Sequence, residues 1–299
     1  MSEAASYLRG QSLFARAIRG ILQSPKATVA LIVCLLLVAA AVFAPLLAPQ
    51  NPYDLAQIDF FDSKLPPLSE GSTGITYWLG TDTQGRDMLS AMMYGLRTSL
   101  GVGLISGFFA LAVGTSLGLV AAYSGGRLDS FIMRFVDLML GFPTILVALM
   151  ILVVFGQGTW KVILALVFVQ WAYFARAVRA AALVESSRDY VEAARCLGLS
   201  APRILFAQIL PNCLPPLIVI ATIQVASAIA AEATLSFLGI GLPITEPSLG
   251  LLIANGYQVL LAGVYWMSVF PGLLLLFLVF SINLVGDRLR ETLNPRLVQ

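Results

Sequence analysis

Histidine is absent from this sequence of 299 residues, and charged side chains make up only 11% of it. The three cysteines, Cys34, Cys196 and Cys213, lie far apart and form no Cys-x-x-Cys pair. These absences give no support to a zinc, iron–sulfur or haem site, or to a disulfide framework. The Gly-x-x-x-x-Gly-Lys-Ser/Thr phosphate loop is also missing, so we expect no cofactor in this chain.

Apolar residues are what the sequence has in excess, at 59% of the chain. Several apolar runs approach or exceed the roughly 20 residues that cross a bilayer as a helix. The alternating ten-residue pattern of membrane barrel strands is missing, which favours helices. We therefore predict an all-α membrane protein with six transmembrane helices, at about 27–48, 98–123, 131–155, 161–181, 213–232 and 266–286.

Basic residues are concentrated in every second segment outside these spans. The N-terminal segment 1–26 has four (Arg9, Arg16, Arg19, Lys26), and 124–134 has two (Arg127, Arg134). The segment 176–203 has five (Arg176, Arg179, Arg188, Arg195, Arg203), and the C-terminal tail has three (Arg288, Arg290, Arg296). The opposite segments are lean in bases, and 49–97 is rich in acids. The positive-inside rule then predicts that both termini are cytoplasmic.

The spans divide the chain into four predicted regions. These are a cytoplasmic N-terminal tail over 1–26, a first anchor with an external segment over 27–97, a five-helix core over 98–287, and a cytoplasmic tail over 288–299. The first apolar run is interpreted as a retained anchor, because its head is long for a signal peptide.

Glycines repeat every four residues in the second span, as Gly103 and Gly107 and then as Gly114 and Gly118. Small residues at this spacing let helices approach closely in lipid. The pattern predicts packing inside the subunit, with an interface between subunits as the alternative.

The segment 185–212 interrupts the apolar second half of the chain and is predicted to face the cytoplasm. Ser186 and Asp189 have the spacing of a capping box, and Gly198 can supply a left-handed helix stop. Ser200 can cap a second short helix, which we expect Pro211 to end.

The first of these two helices has small residues on its surface. Tyr190, Ala193, Ala194 and Leu197 are predicted to share one face, with Glu192 and Arg195 spaced to form an ion pair. The corner at Gly198 is expected to leave no room for a bulky side chain. The segment is therefore either a knob that docks against another protein or an amphipathic helix at the membrane surface.

A family resemblance is carried by motifs along most of the chain. Glu192-Ala193-Ala194, Gly198 and Leu210-Pro211 resemble the EAA loop of permease subunits in bacterial ATP-binding-cassette importers, although Gln208 replaces the usual isoleucine. Other stretches resemble the dipeptide/oligopeptide branch, namely Leu79–Asp87, Arg134–Asp137 with Phe142-Pro143, Ser236–Gly241, Phe270–Gly272, and Asn283–Asp287 with Leu289-Arg290. Arg288, Glu291 and Asn294 depart from that branch in the tail. Within that branch, this chain resembles the C-type permease of the permease pair.

The resemblance implies a type I ABC importer permease fold and a chain that is not an enzyme. It implies import of di- or oligopeptides, or of related small solutes, across the bacterial inner membrane. The implied partners are a second homologous permease, two cytoplasmic ATPases that bind ATP and magnesium, an external substrate-binding protein and membrane lipid, with no nucleic acid. The loop 185–212 would couple ATPase motion to transport through Glu192, Ala193, Ala194, Gly198, Leu210 and Pro211.

Two acids in or near the membrane need an explanation, because a charge in hydrocarbon is costly. Asp137 can pair with Arg134 on one helix face or can line the translocation path. Glu232 can line that path or can extend outward to the interface. With these two acids as relays, a proton-coupled secondary transporter is an alternative, and a membrane scaffold is another.

Overall fold

The computed structural model describes residues 13–54, 57–72 and 74–293 of the chain. Its helices are α1 (Leu13–Leu22), α2 (Pro25–Val42), α3 (Ala44–Leu47), α4 (Met88–Ser124), α5 (Gly126–Gly141), α6 (Thr144–Phe155), α7 (Thr159–Ser186), α8 (Asp189–Cys196), α9 (Ala201–Arg203), α10 (Leu210–Phe237), α11 (Leu249–Val259) and α12 (Trp266–Leu293). Turns of 3-10 helix cover Phe60–Asp62 and Leu260–Ala262, and a π-helical segment covers Ile204–Ile209. Two short antiparallel strands, β1 (Ser69–Glu70) and β2 (Thr76–Tyr77), pair in the segment between α3 and α4.

Five helices of the described residues are long and apolar enough to span a membrane: α2, α4, α7, the continuous stretch 201–237, and α12. The predicted third span, 131–155, is wrong as a single helix, because α5 and α6 meet at an angle of 90°. The break lies at Phe142-Pro143, where Phe142 is extended. Proline lacks an N–H and disfavours helical backbone in the residue before it, which explains the break. The bent pair counted as one span gives six.

The centre of the molecule is the contact of α4 with α7 and α10. A Cβ on Gly114 would overlap the carbonyl oxygen of Trp171, and one on Gly118 would overlap that of Ala175, both on α7. A Cβ on Gly103 would lie 2.5 Å from the side chain of Ile229, and one on Gly107 would lie 3.0 Å from that of Val225, both on α10. The prediction of close packing within the subunit is confirmed at both glycine pairs.

Buried ion-pair and hydrogen-bond contacts hold the segment before α4 in place. Arg86 and Asp82 form an ion pair of 2.6 Å, and both side chains are 1% exposed. Asp87 caps α4 by accepting hydrogen bonds from the backbone and the hydroxyl of Ser90, at 2.7 and 2.6 Å. Trp266, at the start of α12, donates to the carbonyl of Thr81 at 3.1 Å. The Leu79–Asp87 motif therefore connects the starts of α4 and α12.

Candidate functional site

The loop 185–212, called the elbow from here on, begins differently from its prediction. The predicted capping box is wrong, because α7 continues through Ser186 and its hydroxyl donates to the carbonyl of Leu183. Arg188 occupies the cap position of α8, without a side-chain hydrogen bond. Ser200 does precede α9, but its hydroxyl makes no cap hydrogen bond either. Helix α8 thus depends on packing more than on caps.

The corner of the elbow is a left-handed stop, as predicted. Gly198 has φ +72°, its N–H donates to the carbonyl of Arg195, and the N–H of Leu199 donates to that of Ala194. This hydrogen-bond pair is the Schellman motif. The expectation of crowding at the corner is wrong within this chain, because a Cβ on Gly198 would meet no atom within 4 Å. Backbone conformation is what requires glycine here.

The second half of the elbow runs without interruption into α10. Pro211 does not end a helix, contrary to prediction, because it occupies the first turn of α10. The π-helical segment comes directly before it, and the N–H of Leu210 donates to the carbonyl of Leu205, five residues back. A wider turn of this kind leaves room for a proline ring that would crowd a regular helix.

Helix α8 buries one face and exposes the other. Val191 and Ala194 are buried in an apolar cluster that contains Ile204, Ile209 and Cys213. Glu192, Ala193 and Cys196 are exposed on the opposite side. Leu197 is 80% exposed at the tip. The predicted shared face therefore divides: Ala194 packs inside the chain, whereas Ala193 and Leu197 are available to a partner.

Tyr190 ties the two arms of the elbow together, a role that the sequence pattern did not indicate. Its hydroxyl donates to Glu185 of α7 at 2.9 Å and accepts from Asn212 of α10 at 3.0 Å. Burial and the hydrogen bond to Glu185 raise the pKa of Tyr190, so the phenol keeps the proton that it donates. Leu210, half-buried beside the same cluster, and exposed Pro211 complete this arm.

The predicted Glu192–Arg195 ion pair does not form among the described residues. The guanidinium carbon of Arg195 lies 5.2 Å from the centre of the Tyr123 ring instead. This cation–π contact holds α8 to the end of α4 and leaves the exposed carboxylate of Glu192 without an ion-pair partner in the described chain. An unneutralised acid on an exposed helix face can receive a cationic side chain from another protein.

Asp137 pairs across helices and not along its own helix. Its carboxylate contacts Arg176 of α7, so the predicted pair with Arg134 is wrong. Arg179, one turn further along α7, holds Asp129 of α5 through a hydrogen bond of 2.6 Å. Two ion pairs therefore connect α5 with α7, the helix that leads into the elbow. Asp137 remains 67% exposed, and Arg176 53%.

Glu232 is fully buried, so the expectation that it extends to the interface is wrong. It accepts hydrogen bonds from Ser99 of α4 at 2.7 Å and from Ser236 of α10 at 2.8 Å. Ser248, the residue before α11, caps that helix by accepting from the N–H of Leu251 at 3.2 Å. Close to this cluster, Gly250 touches the carbonyl of Ala233 so tightly that no side chain would fit. A place on a translocation path would require Glu232 to leave its cluster.

The elbow is an exposed helical tip between long membrane helices. Comparison with known protein families agrees with this arrangement. Residues 114–299 match the family model of the binding-protein-dependent transport system inner membrane component. The chain belongs to the permeases of ABC importers. Residues 12–67 match a second model, the N-terminal transmembrane domain of oligopeptide transport permease C.

Curated relatives of the permease cover almost all of its length. It is 42% identical over 274 residues to the dipeptide transport system permease protein DppC of Escherichia coli, covering 91% of this chain and 90% of that protein. It is 40% identical over 269 residues to the di/tripeptide transport system permease protein DppC of Pseudomonas aeruginosa, covering 89% and 87%. The resemblance found in the sequence motifs is confirmed.

A solved structure supports the fold of the permease. A chain of the inward-facing MetNI methionine ABC transporter has a similar fold, with a TM-score of 0.56 and 23% sequence identity. The similarity covers 69% of this chain and 98% of that chain. This agreement confirms the type I importer fold. The permease is a transport subunit of the bacterial inner membrane and not an enzyme. The secondary-transporter and scaffold alternatives are thereby set aside.

Proposed function

We propose that the permease carries di- or tripeptides, and that its elbow is where a cytoplasmic ATPase moves it. The substrate class follows from the names of the relatives in Escherichia coli and Pseudomonas aeruginosa, which are 42% and 40% identical to it over the aligned residues. The observation that carries the coupling role is the two-sided helix α8, anchored by Val191 and Ala194 and exposed at Glu192, Ala193 and Leu197.

In this proposal, the contacts of the elbow transmit a force from its exposed tip to α7 and α10. The hydroxyl of Tyr190 bridges α7 and α10, and the Gly198 corner fixes the angle of the chain by two backbone hydrogen bonds. A push on the exposed face would move both long helices, because Val191 lies in the short helix that the tip residue Leu197 directly follows. In this proposal Glu192 is the polar anchor, Ala193 permits close approach, and Ala194 with Leu210 and Pro211 supports the contact from behind.

The complex that we propose has the permease paired with a second homologous permease, on two cytoplasmic ATPases that bind ATP and magnesium. An external substrate-binding protein delivers the peptide. Both termini, 1–26 and 288–299, are placed in the cytoplasm, the segment 27–97 anchors the chain and faces outward, and the core 98–287 forms the path. Asp137 is the acid that we propose for that path, because its carboxylate keeps an exposed surface.

A native thiol gives a direct test of the elbow. Of the three cysteines, all within the described residues, Cys196 is exposed, Cys34 is half-buried and Cys213 is buried. In inverted membrane vesicles, a membrane-impermeant maleimide is expected to modify Cys196 quickly when the ATPases are stripped away and at least tenfold more slowly when they are bound. Cys196→Ser identifies the signal, and an equal rate with and without ATPases would contradict the proposal.

A further inference from the structure

Helix α1 shows three different surfaces around its short length. One side is buried: Gly20 touches Thr292 of α12, and Ile21 packs in a cluster with Leu289. Arg288 strengthens this contact by donating to the carbonyl of Gly20 at 2.9 Å. Helix α1 is therefore fixed against the end of α12.

The second surface of α1 is apolar and exposed. Ile18 is 40% exposed and Leu22 is 60% exposed. These residues are four apart, so their side chains lie next to each other on one side of the helix. The described residues of the chain leave a large part of both side chains uncovered.

The third surface of α1 is basic. Arg16 and Arg19 are three residues apart and lie beside the apolar surface, and exposed Lys26 follows in the first turn of α2. Within the described residues, none of the three forms an ion pair. The nearby acid Glu291 is occupied by Arg288 at 2.6 Å, and the Nε of Arg16 is buried without an acceptor.

The position of α1 decides what can meet these two surfaces. Only Gln23 and Ser24 separate α1 from α2, which is an apolar membrane helix from its second turn onward. Helix α1 thus lies where the first membrane helix begins, and a helix at the start of a span is expected near the lipid headgroups. An exposed apolar strip beside a basic strip, at this depth, fits acyl chains on one side and phosphate groups on the other.

We propose that α1 and the start of α2 form a binding surface for anionic phospholipid headgroups. In this surface Ile18 and Leu22 enter the acyl region, and Arg16, Arg19 and Lys26 contact the phosphates. The bound lipid would hold the end of α12 through the Gly20 contact, so the surface fastens the last membrane helix to the bilayer. This inference needs the membrane location of the chain but not the coupling role of the elbow.

A lipid titration of the full-length permease, purified with its co-assembling subunits, tests the proposal. A polarity-sensitive dye is attached at Gln23→Cys in a Cys196→Ser background, and short-chain phosphatidylglycerol or phosphatidylcholine is added to the solubilised complex. Phosphatidylglycerol is expected to give a saturable signal at lower concentration than phosphatidylcholine. Each basic residue near an anionic lipid surface contributes about fivefold in affinity. The Kd is therefore expected to rise about fivefold in Arg16→Gln and about 25-fold in R16Q/R19Q.

Matched controls separate this surface from general effects of charge. The variant K64Q/R97Q removes the same charge from exposed positions far along the chain, and its Kd is expected to stay unchanged. Ile18→Ser with Leu22→Ser is expected to weaken the response to both lipids. Equal affinity for the two lipids, an equal response to inorganic phosphate, or an equal loss in K64Q/R97Q would each overturn the proposal.

Discussion

Glu232 is the residue whose surroundings explain why a carboxyl group can remain inside a membrane protein. It accepts hydrogen bonds from Ser99 and Ser236, which belong to α4 and α10, so the acid connects two central helices. A buried acceptor with its donors in place contributes to stability, whereas a lost acceptor leaves the donors unpaired.

Replacement of Glu232 by alanine is expected to lower the free energy of unfolding by about 2–4 kcal/mol, from a cavity and unpaired hydroxyls. Glu232→Gln keeps an acceptor oxygen and the side-chain volume, so its loss is expected to be less than half as large. Thermal unfolding in detergent measures both. The exposed residue Glu70 provides the control, since Glu70→Ala is expected to change little. Equal stability of Glu232→Ala and wild type would contradict this role.

Asp137 offers the opposite case, an exposed ion pair whose loss should hardly affect folding. Asp137→Asn is expected to change stability by less than about 1 kcal/mol, because exposed pairs contribute little. If the acid lines the path, peptide uptake should nevertheless fall severalfold. Arg176→Gln breaks the same pair and keeps the acid, so it should preserve uptake better. Similar uptake by Asp137→Asn and wild type in a transport assay would remove Asp137 from the path.

At the scale of the element, the elbow depends on one backbone angle. Gly198→Val is expected to remove transport and to weaken ATPase association while membrane insertion continues, because a β-branched residue is strained at φ +72°. Gly198→Asn separates two explanations, since asparagine tolerates this conformation. If Gly198→Asn retains uptake, the backbone angle is the requirement; if it does not, the partner contacts the corner closely. Normal uptake by Gly198→Val, measured with labelled dipeptide, would count against the elbow.

The elbow also shows which local features a sequence can predict. The stop at Gly198 was predictable, because a left-handed residue after a helix is almost specific to glycine. The caps at Ser186 and Ser200 were not, because serine hydroxyls can bond to preceding carbonyls as easily as to following N–H groups. The bridging role of Tyr190 depends on Asn212, 22 residues away, and no local pattern records that distance.

At the scale of the whole molecule, apolar run length predicted the number of spans but not their shape. Helix α4 begins at Met88, ten residues before the predicted span, directly after its cap Asp87. The bend at Phe142-Pro143 was signalled by its proline, yet the 90° angle follows from how α5 and α6 pack. The pairs of Asp129 and Asp137 with α7 could have been suspected from Arg179 and Arg176, three residues apart.

The orientation of the chain gives a prediction at the same scale. Cys196 in the elbow should be modified by an impermeant maleimide only from the cytoplasmic side, and Glu70→Cys in the external segment only from the opposite side. Both side chains are exposed in this chain, so once the ATPases are stripped away the side of the membrane decides which of them the reagent reaches. Modification of both from one side in intact cells would reverse or reject the predicted topology.

The π-helical segment Ile204–Ile209 affects the direction in which the elbow points. Its wide turn holds about one residue more than a regular helix of the same rise. Deletion of a single residue there would let the stretch 201–237 become an ordinary helix, and everything before it would swing by about 100° around the axis. The direction of the tip is therefore set by the number of residues in this segment, and a chain shortened by one residue there would point its tip in a different direction.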